Sequence, residues 1–163
     1  MYWEPIIRTY GFEVHEGLTM ARLALSPDGD GDLALLPEVG DTSRGPLIMA
    51  AAGREPDSAL ALWVIVDGIL AEELRERARR SDGPAVTHPV DVVHFHGPHF
   101  GDRYGIAMAA LSALRPDDVT LLLAAFTGAS VFLAVPGGDG TRAVESLRSA
   151  FTDAPSRRER PQT

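Results

Sequence analysis

Hydrophobic and polar residues alternate along the first half of the chain as they do in β-strands. IIRTYGFEV (6–14) and LTMARLALSP (18–27) both predict strands, and a DGDGD turn follows the second. LALLPEVGDTSRG (33–45) predicts a short helix at best, because proline and glycine interrupt it. PLIMAAAGRE (46–55) and SALALWVIVD (58–67) then predict two strands joined by a short turn.

The following segment, Gly68–Arg80, has the period of an amphipathic helix. Asp67 precedes it as a suitable N-cap, and arginines gather near its C-terminal end, where they complement the helix dipole. SDGP (81–84) then interrupts the pattern and predicts the boundary between the two halves of the chain.

The second half has a clearer pattern. VDVVHFHG (90–97) predicts a strand, and DRYGIAMAALSAL (102–114) predicts a helix that ends near a proline. VTLLLAAF (119–126) and SVFLAVP (130–136) predict two strands joined by a turn. TRAVESLRSAF (141–151) predicts a closing helix with one apolar face.

Both halves therefore follow one plan, β-α-β-β-α, which a further strand closes into the ferredoxin-like arrangement. We expect an α+β fold of tandem βαββαβ repeats, with antiparallel sheets and helices on one face. The first repeat spans 1–83 and is degenerate at its first helix, the second spans 84–152, and the polar tail 153–163 is expected to be disordered. Since the second repeat lacks a fourth strand, residues 6–14 are expected to complete its sheet.

The composition excludes several kinds of chemistry. The chain has 163 residues, no cysteine and a net charge of -8, and all its basic residues are arginine. Without cysteine there are no disulfides, thiolate metal sites or cysteine nucleophiles, and without lysine there is no Schiff base and no P-loop lysine. The acidic balance argues against binding to nucleic acid.

The sequence also shows no pattern typical of a targeting signal. The first residues, MYWEPIIRTY, carry an acid and no long apolar run, so we expect no secretory signal. No apolar stretch approaches the roughly 20 residues that span a bilayer. We therefore expect a cytoplasmic protein without a membrane partner, and the bias toward Arg, Ala, Gly and Asp suggests a bacterial gene.

The stretch HFHGPHFGDRYG (94–105) contains three of the five histidines, spaced H-x-H-x-x-H. His94 and His96 would share one face of a strand, and with His99 and a water they would form a reasonable zinc site. The metallo-β-lactamase pattern fails because Pro98 stands where that pattern has an acid. We therefore expect no metal and favour packing on a sheet face, and we interpret His15 and His88 as surface or strand residues.

The second half also resembles a known family. VDVVHFHGPHFGDRYGIAMAALSAL, with SVFLAVPGGDGTRAVESLRSAF, resembles an ACT domain, specifically the C-terminal ACT repeat of aspartate kinases. The matching positions include Gly97, Pro98, Asp102 and Gly105, while Tyr104 stands where the family has proline. The first half resembles the preceding ACT repeat only loosely, and we expect no kinase catalytic domain, since no part of this sequence resembles one.

The resemblance implies a site for a small ligand, often an amino acid, at the loop after the first strand of the repeat. Physical reasoning supports the same place, because a helix that begins near Arg103 offers free amides and the positive end of its dipole to a carboxylate. Asp102 could bind an ammonium group, or could act only as the helix N-cap. The expected ligand contacts are His99, Phe100, Gly101, Asp102, Arg103, Tyr104, Gly105 and Ile106.

The sequence is compatible with three functions. The first is a stand-alone, homodimeric ACT-type regulatory protein that binds an amino acid or a related acid and uses no cofactor. The second is an enzyme on the same scaffold, performing cyclisation, isomerisation or elimination by acid/base chemistry in the ligand pocket. Its candidate catalytic residues are His94, His96, His99, Asp102 and Tyr104. The third is a non-catalytic partner of a separate kinase or biosynthetic enzyme.

Overall fold

The fold was derived from a computed structural model, which describes residues 6–25, 41, 43, 45–54, 60–79 and 86–153. The DGDGD turn, most of the short helix expected at 33–45, the SDGP break and the tail after residue 153 lie outside these residues. None of the described helices is long and apolar enough to cross a membrane.

Eight strands and three α-helices are found in the described residues, together with one 3-10 helix. In chain order they are β1 (Ile7–Thr9), β2 (Phe12–Leu25), β3 (Leu47–Arg54), β4 (Leu60–Val66), α1 (Gly68–Arg79), β5 (Val86–His96), the 3-10 helix (Phe100–Asp102), α2 (Ile106–Leu114), β6 (Leu123–Phe126), β7 (Ser130–Pro136), α3 (Gly140–Leu147) and β8 (Phe151–Asp153). The α+β class expected from the sequence is confirmed.

The N-terminal strands differ from the expected pair 6–14 and 18–27. The break falls at Gly11, whose φ of 122° is in a region that glycine alone adopts easily. The short β1 ends before it, whereas β2 continues from Phe12 through Gly17 to Leu25. The first predicted strand is thus divided, and its second part is fused with the next one.

The chain forms two structural units. The central unit comprises residues 17–90, and the split unit comprises residues 1–16 together with 91–163. Strands β2 and β5 contribute residues to both units. Along the sequence, the boundaries of the units fall at 16/17 and 90/91, and the repeat boundaries drawn from the sequence stay a prediction.

In the central unit the strand order is β3-β4-β2-β5, and β4 runs antiparallel to both β2 and β3. Ala21 of β2 lies opposite Val64 of β4 in this register. Leu70 and Leu74 of α1 are buried in the same cluster as these strand residues, at 1% exposure each. The amphipathic stripe predicted for this helix therefore covers one face of the sheet.

In the split unit the strand order is β2-β5-β7-β6, with β6 antiparallel to β7. A separate pair is formed by β1 and β8, which run parallel with Ile7 opposite Phe151. The core centres on Phe95, whose ring lies 4.9 Å from that of Phe151 and 5.1 Å from that of Phe12. Buried residues of α2 and α3 complete this cluster, so both helices cover the core face of the sheet.

The last helix is shorter than the predicted 141–151, because α3 ends at Leu147 and β8 begins at Phe151. Its start is held by Asp91 of β5, which is only 3% exposed. The Oδ2 atom of Asp91 accepts hydrogen bonds from the backbone N–H groups of Gly138 (2.8 Å) and Gly140 (3.2 Å). A buried carboxylate is thus satisfied by amides at the N-terminus of α3.

Candidate functional site

The predicted ligand loop leaves β5 at a point where two backbone segments are in close contact. A Cβ atom on Gly97 would lie 2.2 Å from the carbonyl oxygen of Arg8, so glycine is required there. The carbonyl oxygen of His96 accepts hydrogen bonds from the Tyr10 N–H (2.9 Å) and the Thr9 hydroxyl (2.8 Å). The residues around β1 therefore fix the position at which the loop begins.

The helix after this loop begins later than the sequence predicted. His99 has a left-handed φ of 63°, a 3-10 helix follows at Phe100–Asp102, and α2 starts only at Ile106. Gly105, with a φ of 90°, is the N-cap residue. The prediction that Asp102 caps this helix is therefore wrong. Asp102 ends the 3-10 helix, and the left-handed Gly105 separates that helix from α2.

Two of the expected ligand contacts lie in the core. Phe100 is 6% exposed, and its ring packs edge-on against Phe95 at 6.0 Å. Ile106 is 8% exposed and belongs to the same cluster. Phe100 lies in the 3-10 helix and Ile106 is the first residue of α2, and both side chains pack in the core cluster. Their contact with a ligand stays a prediction.

The remaining loop residues are accessible in different ways. Tyr104 is 84% exposed, and His99 and Asp102 are exposed with their Nδ1 and Oδ2 atoms 3.9 Å apart.

Arg103 is partly buried, and its Nη1 donates a hydrogen bond to the carbonyl oxygen of Ile6 at 3.1 Å. A Cβ on Gly101 would approach the carbonyl oxygen of Gly128 to 2.6 Å, so the loop is also pressed against the β6–β7 turn.

The N-terminus of α2 has no side-chain cap. Its N-cap residue, Gly105, has no side chain to accept a hydrogen bond, and the first turn contains no acidic residue. The amides of a first helical turn have no acceptor within the helix, and the helix dipole favours an anion beside them. The geometry can therefore accept a small carboxylate, although α2 begins four residues after the start predicted at Asp102.

A second group of polar residues lies on the sheet face of the split unit that points away from its core. Val93 and Phe95 of β5 are buried in the core, so His94 and His96, which alternate with them, point to the other face. On the neighbouring strand β2, Phe12 and Val14 pack against the core. Glu13 and His15 alternate with them and are exposed on the same open face as the two histidines.

His94 is the centre of this group. Its Nδ1 lies 3.3 Å from Oε2 of Glu13, and its side chain is 19% exposed. The His94 ring stacks on Phe132 at 4.4 Å with an interplanar angle of 16°, and on His96 at 5.7 Å with an angle of 22°. His96 is in turn 5.3 Å from Tyr10. Contacts with two near-parallel rings therefore limit the rotation of the His94 imidazole.

The histidines do not group as the H-x-H-x-x-H spacing suggested. Among the described residues, three potential metal-binding donors converge at Glu13, His15 and His94, whose ligand atoms all lie within 4.8 Å of one another. His99 instead lies in the loop. The interpretation of His15 as a surface or strand residue is confirmed, since it is exposed in β2, and its proximity to Glu13 and His94 is an addition.

Sequence reasoning missed Glu13 and His15 as site residues. The available signal was their alternation with Phe12 and Val14, combined with the expected pairing of this segment beside the second repeat. His88 is exposed in β5, and no described contact adds a functional role. The acid/base roles considered for His94, His96, His99, Asp102 and Tyr104 stay a prediction.

Neither a family model nor a curated protein matches this chain. Solved structures do match it. The ligand-free regulatory subunit of aspartate kinase from Thermus thermophilus superposes with a TM-score of 0.69 at 16% identity, covering 88% of this chain and 99% of that one. The structure of aspartokinase alpha and beta subunits gives a TM-score of 0.65, also at 16% identity, covering 87% and 97%.

Full-length enzymes match over a smaller share of their length. Clostridium acetobutylicum aspartate kinase superposes with a TM-score of 0.67 at 14% identity, covering 93% of this chain but 36% of the kinase. Escherichia coli aspartokinase III, solved with lysine and aspartate, gives 0.60 at 14% identity, covering 91% and 34%. This chain therefore has the ferredoxin-like fold of aspartate kinase regulatory domains, and the ACT resemblance is confirmed at the level of fold.

Proposed function

We propose that this protein is an ACT-type regulatory protein that binds an amino acid or a related small acid. The observation that carries the proposal is the match with a kinase regulatory subunit over 99% of that subunit's length. A related enzyme, Escherichia coli aspartokinase III, was solved with lysine and aspartate, which suggests the ligand class. The tandem ACT repeats at 1–83 and 84–152 are part of this proposal.

The ligand site that we propose contains the accessible part of the loop and the start of α2. A ligand carboxylate would accept hydrogen bonds from the uncapped amides of the first turn of α2. The exposed carboxylate of Asp102 would hold an ammonium group, and Tyr104 would cover the ligand. Arg103, which is anchored on the Ile6 carbonyl oxygen, would fix the loop beside the carboxylate.

The proposal includes assembly. We expect a homodimer, because ACT sites commonly form between repeats or between subunits. We also expect a cytoplasmic protein from a bacterium. A non-catalytic subunit of a separate kinase is a second candidate, favoured by the likeness to a regulatory subunit and to a structure that contains aspartokinase alpha and beta subunits. Co-purification of a kinase with this protein from its native host would distinguish the second candidate.

Thermal-shift measurements with each of the common amino acids test the ligand site. We expect one of them, at millimolar concentration, to raise the melting temperature of the untagged protein by several degrees, because a ligand stabilises the state that binds it. Isothermal titration calorimetry should then give a dissociation constant that rises at least tenfold in Asp102→Ala and in Tyr104→Ala. Both side chains are exposed, so these variants should remain folded.

Glu145→Ala provides the matched control, since it removes an exposed side chain of α3. Its dissociation constant should equal that of the wild type. The proposal is contradicted if no amino acid or related acid shifts the melting temperature of folded protein. It is equally contradicted at this loop if the Asp102 and Tyr104 variants bind as the control does.

A further inference from the structure

We infer that the open sheet face of the split unit binds a divalent transition-metal ion through Glu13, His15 and His94. This inference concerns a set of residues different from the loop proposed to bind amino acids, and it does not depend on that proposal. It rests on the convergence of one carboxylate and two imidazoles from two neighbouring strands.

Strand alternation explains why these three side chains meet. Glu13 and His15 are two positions apart in β2, so they point to the same face of the sheet. His94 points to that face from β5, the neighbour of β2 in the strand order. All three residues belong to the split unit, so the site is complete within it.

One pair of donor atoms has the spacing of two ligands on the same ion. The donor atoms lie within 4.8 Å of one another, and the Glu13 Oε2 and His94 Nδ1 atoms are 3.3 Å apart. Two donors at bond lengths of about 2.0–2.1 Å in tetrahedral geometry are separated by roughly 3.3–3.4 Å. One pair therefore already has the required spacing, and a rotation of the exposed His15 side chain would bring in the third donor.

The surroundings keep His94 in place and leave room for the ion to enter. The His94 ring contacts the near-parallel rings of Phe132 and His96, which limits its rotation before an ion binds. The side chain of Glu13 is 66% exposed, so an ion can reach the site from solvent. A preoriented imidazole reduces the entropy that binding would otherwise cost.

The donor set selects the chemical class of the ion. Two imidazole nitrogens and one carboxylate oxygen suit zinc, cobalt and nickel, whereas calcium and magnesium prefer sets of oxygen ligands. Three protein donors leave a coordination position for water or for a small ligand. The bound ion would also link β2 to β5 through their side chains.

Titration of the untagged, metal-free protein with zinc tests this inference. We expect one ion per chain, with a rise in melting temperature of roughly 5–10 °C when zinc is at about a hundred times its dissociation constant. Substitution by cobalt should give d–d absorption bands that report nitrogen and oxygen ligands. His15→Ala should weaken zinc binding at least tenfold, because it removes a donor from an exposed position.

Further variants separate the site from adventitious binding. His94→Ala and Glu13→Gln should also weaken binding at least tenfold, whereas His88→Ala, which removes an exposed histidine elsewhere in β5, should leave the dissociation constant unchanged. His94 is packed in a ring stack, so His15→Ala decides the outcome if the His94 variant folds poorly. Absence of zinc binding, or equal affinity of His15→Ala and the wild type, overturns the inference.

Discussion

The loop after β5 and the open sheet face beside it both take residues from the continuous stretch His94–Gly105, yet they are built in different ways. The loop is fixed by glycines that permit close backbone approach and by a phenylalanine buried in the core. The open face pairs His94 with Glu13, which lies 81 positions away in the chain. A motif that looks like one site thus contributes to two.

The difference shows what local spacing can and cannot indicate. In the loop, the residues predicted to bind a ligand are close in sequence, so they lie in one segment even though the helix start is misplaced. On the sheet face, the partners of His94 depend on which strand lies beside β5. Sequence spacing within HFHGPHF carries no information about that neighbour.

The strongest test of this comparison removes the core anchor of the loop. Phe100→Ala should lower the free energy of unfolding by about 3–5 kcal/mol, because it leaves a cavity beside Phe95 and Phe151. Urea denaturation followed by circular dichroism measures this change. Tyr104→Ala in the same loop, at an exposed position, should change it by less than about 0.5 kcal/mol; an equally small effect of Phe100→Ala would contradict the core role.

An intermediate effect is expected where the loop touches the β6–β7 turn. Gly101→Ala would place a Cβ 2.6 Å from the carbonyl oxygen of Gly128, so one of the two segments must move. We expect a loss of about 1–3 kcal/mol in unfolding free energy, measured in the same way. Gly128→Ala provides the control, since a Cβ there meets nothing within 4 Å, and equal stability of both variants would show that the contact does not constrain the loop.

The smallest effect should come from the sheet face without metal. Glu13→Gln in the presence of a chelator should change the unfolding free energy by less than about 1 kcal/mol, because its contact with His94 is solvent-exposed on the carboxylate side. Thermal unfolding with and without the chelator measures it. A large loss in chelated protein would mean that Glu13 supports the fold itself rather than a bound ion.

Much of the fold could be predicted, because the hydrophobic pattern of several segments matches the helix or strand that each segment forms. The helix predicted at 68–80 appears at Gly68–Arg79, and the strand predicted at 130–136 appears with those bounds. The start of α2 could not be predicted, since DRYG contains an acid suited to an N-cap and the decisive event is the left-handed conformation of His99 and Gly105.

The candidate site was predicted less well than the fold. The sequence indicates the loop that contains Asp102 and Tyr104, because glycines and polar residues cluster there. It does not indicate that Phe100 and Ile106 are buried, since an apolar residue in a loop can face a ligand or the core. The partners of His94 required the register between β2 and β5, which side-chain patterns along either strand do not determine.

The split unit is built from two separate segments of the chain, and this affects the order in which the chain folds during synthesis. The central unit is one continuous stretch, 17–90, so all its residues have been made before β7 exists. Residues 1–16, by contrast, must remain without their final partners until 91–163 have been translated, and β1 waits for β8 near the very end. We therefore expect the central unit to fold first on the ribosome, with the N-terminal segment completing the molecule last.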